Sequence, residues 1–179
     1  MVDEQTYGVM AQARLRPAAV AIVDGETSTT YAELDDRCRR MARLLQDHGV
    51  TAGDRVAVMA HNSAGWFVAA HGAGRLGAVV VPVNTHSKRR EAQHVITDSG
   101  ARAVVVDPEL APVLDGLVDV AMLVVGSGLD RQLDAVDDAD VVVADDGWPT
   151  TMLYTSGTTG LPKGVAPGAD DFRRRAAGV

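Results

Sequence analysis

The chain is 179 residues long, carries a formal net charge of −7 and is 46% hydrophobic. That suffices for one domain with a substantial core, and it lacks the basic face that a nucleic-acid partner asks for. One cysteine, Cys38, excludes an internal disulfide, no apolar run approaches the ~18 residues of a membrane span, and the polar start Met1-Val2-Asp3-Glu4-Gln5 is unlike a signal peptide, so a soluble cytoplasmic protein is expected.

In chain order, Ala18 to Asp24 reads as a strand, Asp24-Gly25 as a turn and Ser28 to Tyr31 as the returning strand. Thr30 followed three residues on by Glu33 makes a capping box. Leu34, Cys38, Met41 and Leu45 follow at helical spacing, and Gly49 ends that helix. On this apolar face Cys38 reads as a core residue rather than a reactive thiol. Arg55 to Ala60 is a short strand. Asn62 or Ser63 can cap the next helix, which carries Trp66, Phe67 and Val68 as core residues and fades near Gly77.

Further on, Ala78 to Val83 is a strand, Ser87 to Ser99 a helix stopped by Gly100, and Ala103 to Val106 a strand. Pro108 suits a helix start, with the helix running to about Leu117, and Val120 to Val125 is another strand. The runs at 79–83, 103–106 and 120–125 are continuous rather than alternating, as in strands buried on both faces. Strands alternating with helices then predict an α/β fold, a mostly parallel sheet flanked by helices. Asp130 to Trp148 is acidic and weakly patterned, and reads as a loose solvated stretch rather than a cation site. His48, His61, His71, His86 and His94 show no tight metal spacing, so no zinc site is expected. Lys88, Arg89 and Arg90 read as a solvated first helical turn, with contact to a phosphate as the alternative.

The densest chemistry lies at Leu153-Tyr154-Thr155-Ser156-Gly157-Thr158-Thr159-Gly160-Leu161-Pro162-Lys163-Gly164-Val165. Thr151 to Tyr154 reads as a strand leading into it. Gly157 and Gly160 permit positive φ and close approach of backbone to a ligand, and successive N–H groups in such a turn form an anion-binding concavity. The hydroxyls of Thr155, Ser156, Thr158 and Thr159 rotate to suit phosphate oxygens. Lys163 adds a mobile positive charge after the stiffening Pro162. A nucleoside-triphosphatase P-loop does not fit: Lys163 follows Pro162 rather than glycine, and Gly164 stands where Ser or Thr is required.

The run from Tyr154 to Val165 instead resembles the signature loop of the AMP-forming adenylating enzymes: acyl-CoA synthetases, peptide-synthetase adenylation domains and luciferases. The resemblance extends upstream through Thr30-Tyr31-Ala32-Glu33-Leu34, Gly53 to Val58, Asn62-Ser63, Gly77 to Asn84, and Glu91 to Ala101 with its Asp98-Ser99-Gly100-Ala101 ending. It implies the N-terminal part of an acyl-CoA synthetase-like large domain, with a small-molecule carboxylic acid, ATP and CoA as partners. It implies that Thr155, Ser156, Thr158, Thr159 and Lys163 hold the β- and γ-phosphates, that Mg²⁺ bridges their oxygens, and that the N–H groups of Gly157 and Gly160 complete the cradle.

The resemblance stops at Val165. Ala166 to Val179 has the Pro, Gly, Ala, Arg and Asp content of a shifted reading frame, and Pro167 withholds a donor where a strand would continue. The expectation is a truncated AMP-binding domain over 1–165, an atypical tail over 166–179, and no small C-terminal domain. It includes self-association through the truncated face and little or no activity for this chain alone. The alternative is a non-catalytic nucleotide-binding or interaction module that keeps the N-terminal fold. Asp98-Ser99-Gly100 and the segment from Gly77 to Asn84 lean toward ligases of fatty or related acids.

Overall fold

The computed structural model describes residues 8–116, 119–136, 149–155 and 161–165. Its centre is a four-stranded sheet of β3 (Arg55–Met59), β4 (Val79–Pro82), β5 (Ala101–Val106) and β6 (Ala121–Val124), in the order β4-β3-β5-β6. All three pairings are parallel, with Val56 opposite Val80 and Ala103, and Val105 opposite Leu123. Side chains alternate across the sheet, as the strand period of two requires. Val56, Val58, Val80, Ala103, Val105 and Leu123 enter one core, whereas Ala57, Met59, Val81, Val104 and Val106 enter the other. The runs at 79–83 and 103–106 are therefore apolar throughout because both faces are covered. The outer strand β6 departs from that expectation: among the described residues it pairs on one side only, and Met122 is 39% exposed.

The first core is closed by α2 (Tyr31–Asp47) and α3 (Ala64–Arg75), the second by α4 (Arg89–Asp98) and the short α5 (Ala111–Leu114). From β3 the chain steps outward to β4 by way of α3, then returns past β3 to β5 by way of α4. That reversal of direction moves the crossover to the opposite face if every crossover keeps one hand. Helix α2 begins at the expected capping box. The Thr30 hydroxyl accepts from the Glu33 N–H at 3.3 Å, and the Glu33 carboxylate accepts from the Thr30 N–H at 2.8 Å. Leu34, Cys38, Met41 and Leu45 are all buried. Ser63, not Asn62, caps α3, accepting from the Trp66 N–H at 3.2 Å. Helices α2 and α3 meet closely at Gly72, where an added Cβ would stand 2.6 Å from Met41. Trp66 and Phe67 pack against this core as expected.

Ahead of the sheet lie α1 (Val9–Leu15) and the antiparallel hairpin of β1 (Val20–Asp24) and β2 (Thr27–Thr30). Helix α1 is absent from the sequence reading, because its one fully buried side chain, Ala11, leaves almost no apolar period. The helix expected from Pro108 is instead confined to α5, with Pro112 in its first turn; residues 107–111 form turns on the Asp107 carbonyl. The stretch expected to be loose from Asp130 is in part ordered, since 130–135 belongs to α6 (Ser127–Ala135). Leu129 and Leu133, four apart, fill the first core, and Asp130 pairs with Arg37. Residues 137–148 and the tail at 166–179 lie outside the described residues. Among those described, no helix is long and apolar enough to cross a membrane.

Candidate phosphate-binding hairpin

Beyond β4 the chain returns to the sheet. The Val80 N–H donates to the Thr150 carbonyl and the Met152 N–H to the Val80 carbonyl, both at 2.8 Å, which makes a parallel bridge at Thr151. The strand expected at 151–154 is thus a bridge followed by β7 (Leu153–Thr155). A further strand, β8 (Lys163–Val165), pairs antiparallel with β7, with Leu153 opposite Val165, Tyr154 opposite Gly164 and Thr155 opposite Lys163. Of the expected site residues, Thr155 and Lys163 therefore stand across from each other at the mouth of the hairpin, and both are exposed. Ser156, Gly157, Thr158, Thr159 and Gly160 lie in the connecting loop, outside the described residues.

Helix α4 holds the hairpin from beneath. The Tyr154 hydroxyl donates to the Asp98 carboxylate at 2.7 Å. Burial, followed by the Asp98 carboxylate beside it, pushes the phenol up to about 12 and keeps it a donor. One turn earlier, His94 Nε2 lies 2.9 Å from the Pro162 carbonyl oxygen. A carbonyl can only accept, so Nε2 carries the proton. The His94 ring also meets Tyr154 edge-on at 90°, with centroids 6.4 Å apart. His94 and Asp98 stand four apart, on one face of the helix, so two adjacent turns grip β7 and the segment entering β8. At Gly164 an added Cβ would lie 2.3 Å from Met152 Cε and 2.9 Å from Tyr154 Cζ. A side chain there would have to displace the end of Met152 and the Tyr154 ring.

Lys88, Arg90, Glu91 and Leu161 line an open hollow of about 400 Å³. Arg89 turns away and donates to the Asp115 carbonyl at 2.6 Å. Lys88, Arg89 and Arg90 are all exposed, as expected of a solvated helix start, and Lys88 and Arg90 share the hollow with Leu161, two residues before β8. His94 and Asp98 escaped the sequence reading because nothing in their spacing links them to Pro162, 68 residues away, or to Tyr154.

The match to a model of the AMP-binding enzyme family covers residues 9–172. The chain belongs to that family. It is 39% identical over 156 residues to a feruloyl-CoA synthase of an Amycolatopsis species, covering 86% of this chain and 31% of that protein. It is 34% identical over 164 residues to a long-chain-fatty-acid–CoA ligase of Mycobacterium tuberculosis, covering 86% of this chain and 33% of the ligase. Its fold superposes on the o-succinylbenzoate CoA synthetase of Bacillus subtilis, solved in complex with its acyl-adenylate intermediate. The TM-score there is 0.77 at 27% identity, over 94% of this chain and 44% of the synthetase. These proteins are acid–CoA ligases, and the chain spans about a third of the length of the curated relatives it matches. The resemblance read from Tyr154 to Val165 and its upstream segments is borne out, as is the helix-flanked parallel sheet.

Proposed function

We propose that this chain carries the phosphate-holding part of an ATP-dependent acid–CoA ligase, with the loop between β7 and β8 as its nucleotide-phosphate site. The observation behind this reading is the hairpin. In a chain of the AMP-binding family, it sets an exposed hydroxyl, Thr155, opposite an exposed ammonium, Lys163, at the two ends of a loop composed of glycine, serine and threonine. In this reading Thr155, Ser156, Thr158, Thr159 and Lys163 hold the β- and γ-phosphates, and the N–H groups of Gly157 and Gly160 complete the cradle. Hydroxyl and ammonium donors suit a polyphosphate. The stretch 155–163 holds no carboxylate, so Mg²⁺ would take its ligands mainly from phosphate oxygens; when bound it spreads the negative charge of the leaving group.

The reaction follows from the family. A carboxylate oxygen bonds to the α-phosphorus while the bond from that phosphorus to the β-phosphate bridging oxygen breaks, and pyrophosphate leaves. The thiol sulfur of CoA then attacks the acyl carbon and AMP departs. A cradle on the β- and γ-phosphates acts where charge accumulates in the first step, which is where fixed donors lower a barrier most. Helix α4 would keep that cradle in register through His94 and Asp98. The acid is of the fatty or aryl kind found among the similar ligases. The test is calorimetric titration of the 179-residue chain with ATP. Lys163→Ala is expected to weaken binding by about 1.5–3 kcal/mol, the range for a lost charged hydrogen bond. Equal affinity of the two chains would remove Lys163 from the site and the reading with it.

A further inference from the structure

We propose that His61, Asp107 and Glu109 form a site for one divalent transition-metal ion, of which Zn²⁺ is the type, at the carboxyl edge of the parallel sheet. His61 follows β3 by two residues and Asp107 directly follows β5. Because β3 and β5 are parallel neighbours, their carboxyl ends open on the same edge. The order β4-β3-β5-β6 also makes this the point where the chain reverses direction along the sheet. The connection after β3 leads into α3 on one face, and that after β5 into α5 on the other. The two connections diverge at that point, the place where open parallel α/β sheets take their ligands.

The side chains supply the second line of argument. His61 Nδ1 lies 2.7 Å from Asp107 Oδ2 and 3.5 Å from Glu109 Oε1, and the three donor atoms all fall within 4.8 Å of one another. Nitrogen and oxygen ligands about 2.1 Å from a shared ion sit roughly 2.9 Å apart at right angles and roughly 3.4 Å apart at tetrahedral angles. The His61–Glu109 separation matches the tetrahedral spacing, whereas the His61–Asp107 separation is that of the hydrogen bond the two share, which an ion would replace as the exposed His61 ring rotates outward. Asp107 is the fixed member: it is 7% exposed. Its Oδ2 accepts the His61 backbone N–H at 2.7 Å, and its own N–H donates to the Met59 carbonyl at 3.1 Å. His61 and Glu109 are open to solvent, which leaves the remaining coordination positions to water or a small anion. One imidazole and two carboxylates suit Zn²⁺, Mn²⁺ or Co²⁺; Mg²⁺ and Ca²⁺ prefer an all-oxygen shell. Sequence spacing hides the set, because His61 and Asp107 stand 46 residues apart. The site is independent of the phosphate hairpin, shares no residue with it, and stands or falls without it.

The test is calorimetric titration of the full 179-residue chain with ZnCl₂, with MgCl₂ in parallel. The variants are His61→Ala and Glu109→Gln, with His86→Ala and His48→Ala as exposed controls. Asp107 is left intact because it also caps the His61 amide. Circular dichroism and thermal unfolding establish that each variant is folded. The expected result is one Zn²⁺ per chain, no saturable Mg²⁺ binding at the same concentrations, and unchanged Zn²⁺ affinity in both controls. His61→Ala and Glu109→Gln should each lose roughly tenfold or more, the loss that even outer partners of a metal ligand cause. Zn²⁺ should also raise the thermal midpoint of the wild-type chain but not that of His61→Ala. Equal affinity in the wild type and the two site variants, or an equal loss in a control, would show adventitious surface binding and overturn the proposal.

Discussion

His71 has no part in the phosphate hairpin, and its burial makes it a candidate for acid sensitivity of the fold. It is buried in α3 and stacks on Phe67 with ring centroids 6.2 Å apart. Burial, then the Arg75 guanidinium one turn on, pushes its pKa from the usual 6.5 down to about 4. Arg75 is itself held, by an ion pair with Asp35 of α2. The folded chain thus resists a proton that the unfolded chain accepts below about pH 6.5. Stability contributed by the neutral ring is complete above that pH and is lost as pH falls toward 4, by on the order of 3 kcal/mol for a shift of this size. The expected outcome is a urea midpoint that declines between pH 6.5 and 4 in the wild type and declines less in His71→Gln, whose side chain does not titrate. Parallel declines in both would locate the acid sensitivity elsewhere; the hydrogen-bonded carboxylates Asp36 and Asp54, held below the usual aspartate value, contribute their own loss only below about pH 4. Cys38 makes the opposite case. Fully buried, with burial raising its thiol to about 12, it is inert packing, as its place on an apolar helix face implied.

At the scale of elements, caps and continuous apolar runs are legible in the sequence, whereas helices that bury little and contacts between distant segments are not. The capping box at Thr30 and Glu33 specifies the start of α2, and its contribution is predictable: Thr30→Ala should cost about 1 kcal/mol in chemical unfolding. A cost near zero would mean that packing against α3 alone sets that helix. The continuous Val runs specified a parallel sheet because both faces of β3, β4 and β5 are covered. Helix α1 escaped notice because it buries little, and α6 because its two buried leucines lie among the acidic residues that made 130–148 look solvated. In the candidate site, Thr155 and Lys163 were legible from residue type and turn chemistry. Their support by His94 and Asp98 was not, since contacts between distant segments leave no period in a sequence. The grip on the hairpin yields its own prediction. Gly164→Ala sets a Cβ against Met152 and Tyr154. It should raise amide hydrogen exchange at 153–155 and 163–165 while leaving β3 and β5 protected. Unchanged exchange in the hairpin would mean that the two strands separate at little cost.

At the scale of the whole molecule, the question is how much chemistry these 179 residues support. The relatives they match are about three times as long. On the resemblance, the adenine and ribose contacts, the acid pocket and the adenylating lysine are expected in the part of such ligases that these residues do not cover. A phosphate cradle stabilises only the leaving side of the first transition state. Even one missing donor elsewhere typically costs a factor of about 10²–10³, and orientation of the carboxylate against the α-phosphorus is worth roughly 7–11 kcal/mol. The expected outcome is therefore ATP binding without turnover. The outer strand β6 leaves Met122 exposed, and Leu153 and Val165 are exposed along the hairpin. Open edges with apolar side chains favour association between copies, so turnover is best assayed alongside sedimentation to separate an inactive chain from an aggregated one. The measurement is acid-dependent release of pyrophosphate from ATP by the purified chain, across fatty, aryl and amino acids. A rate near 1 s⁻¹ or above, about the lower end of ordinary enzyme turnover, would show that the α-phosphorus is activated by groups within these residues. In that case the described cations beside the hairpin, Lys88 and Arg90, are the first to replace.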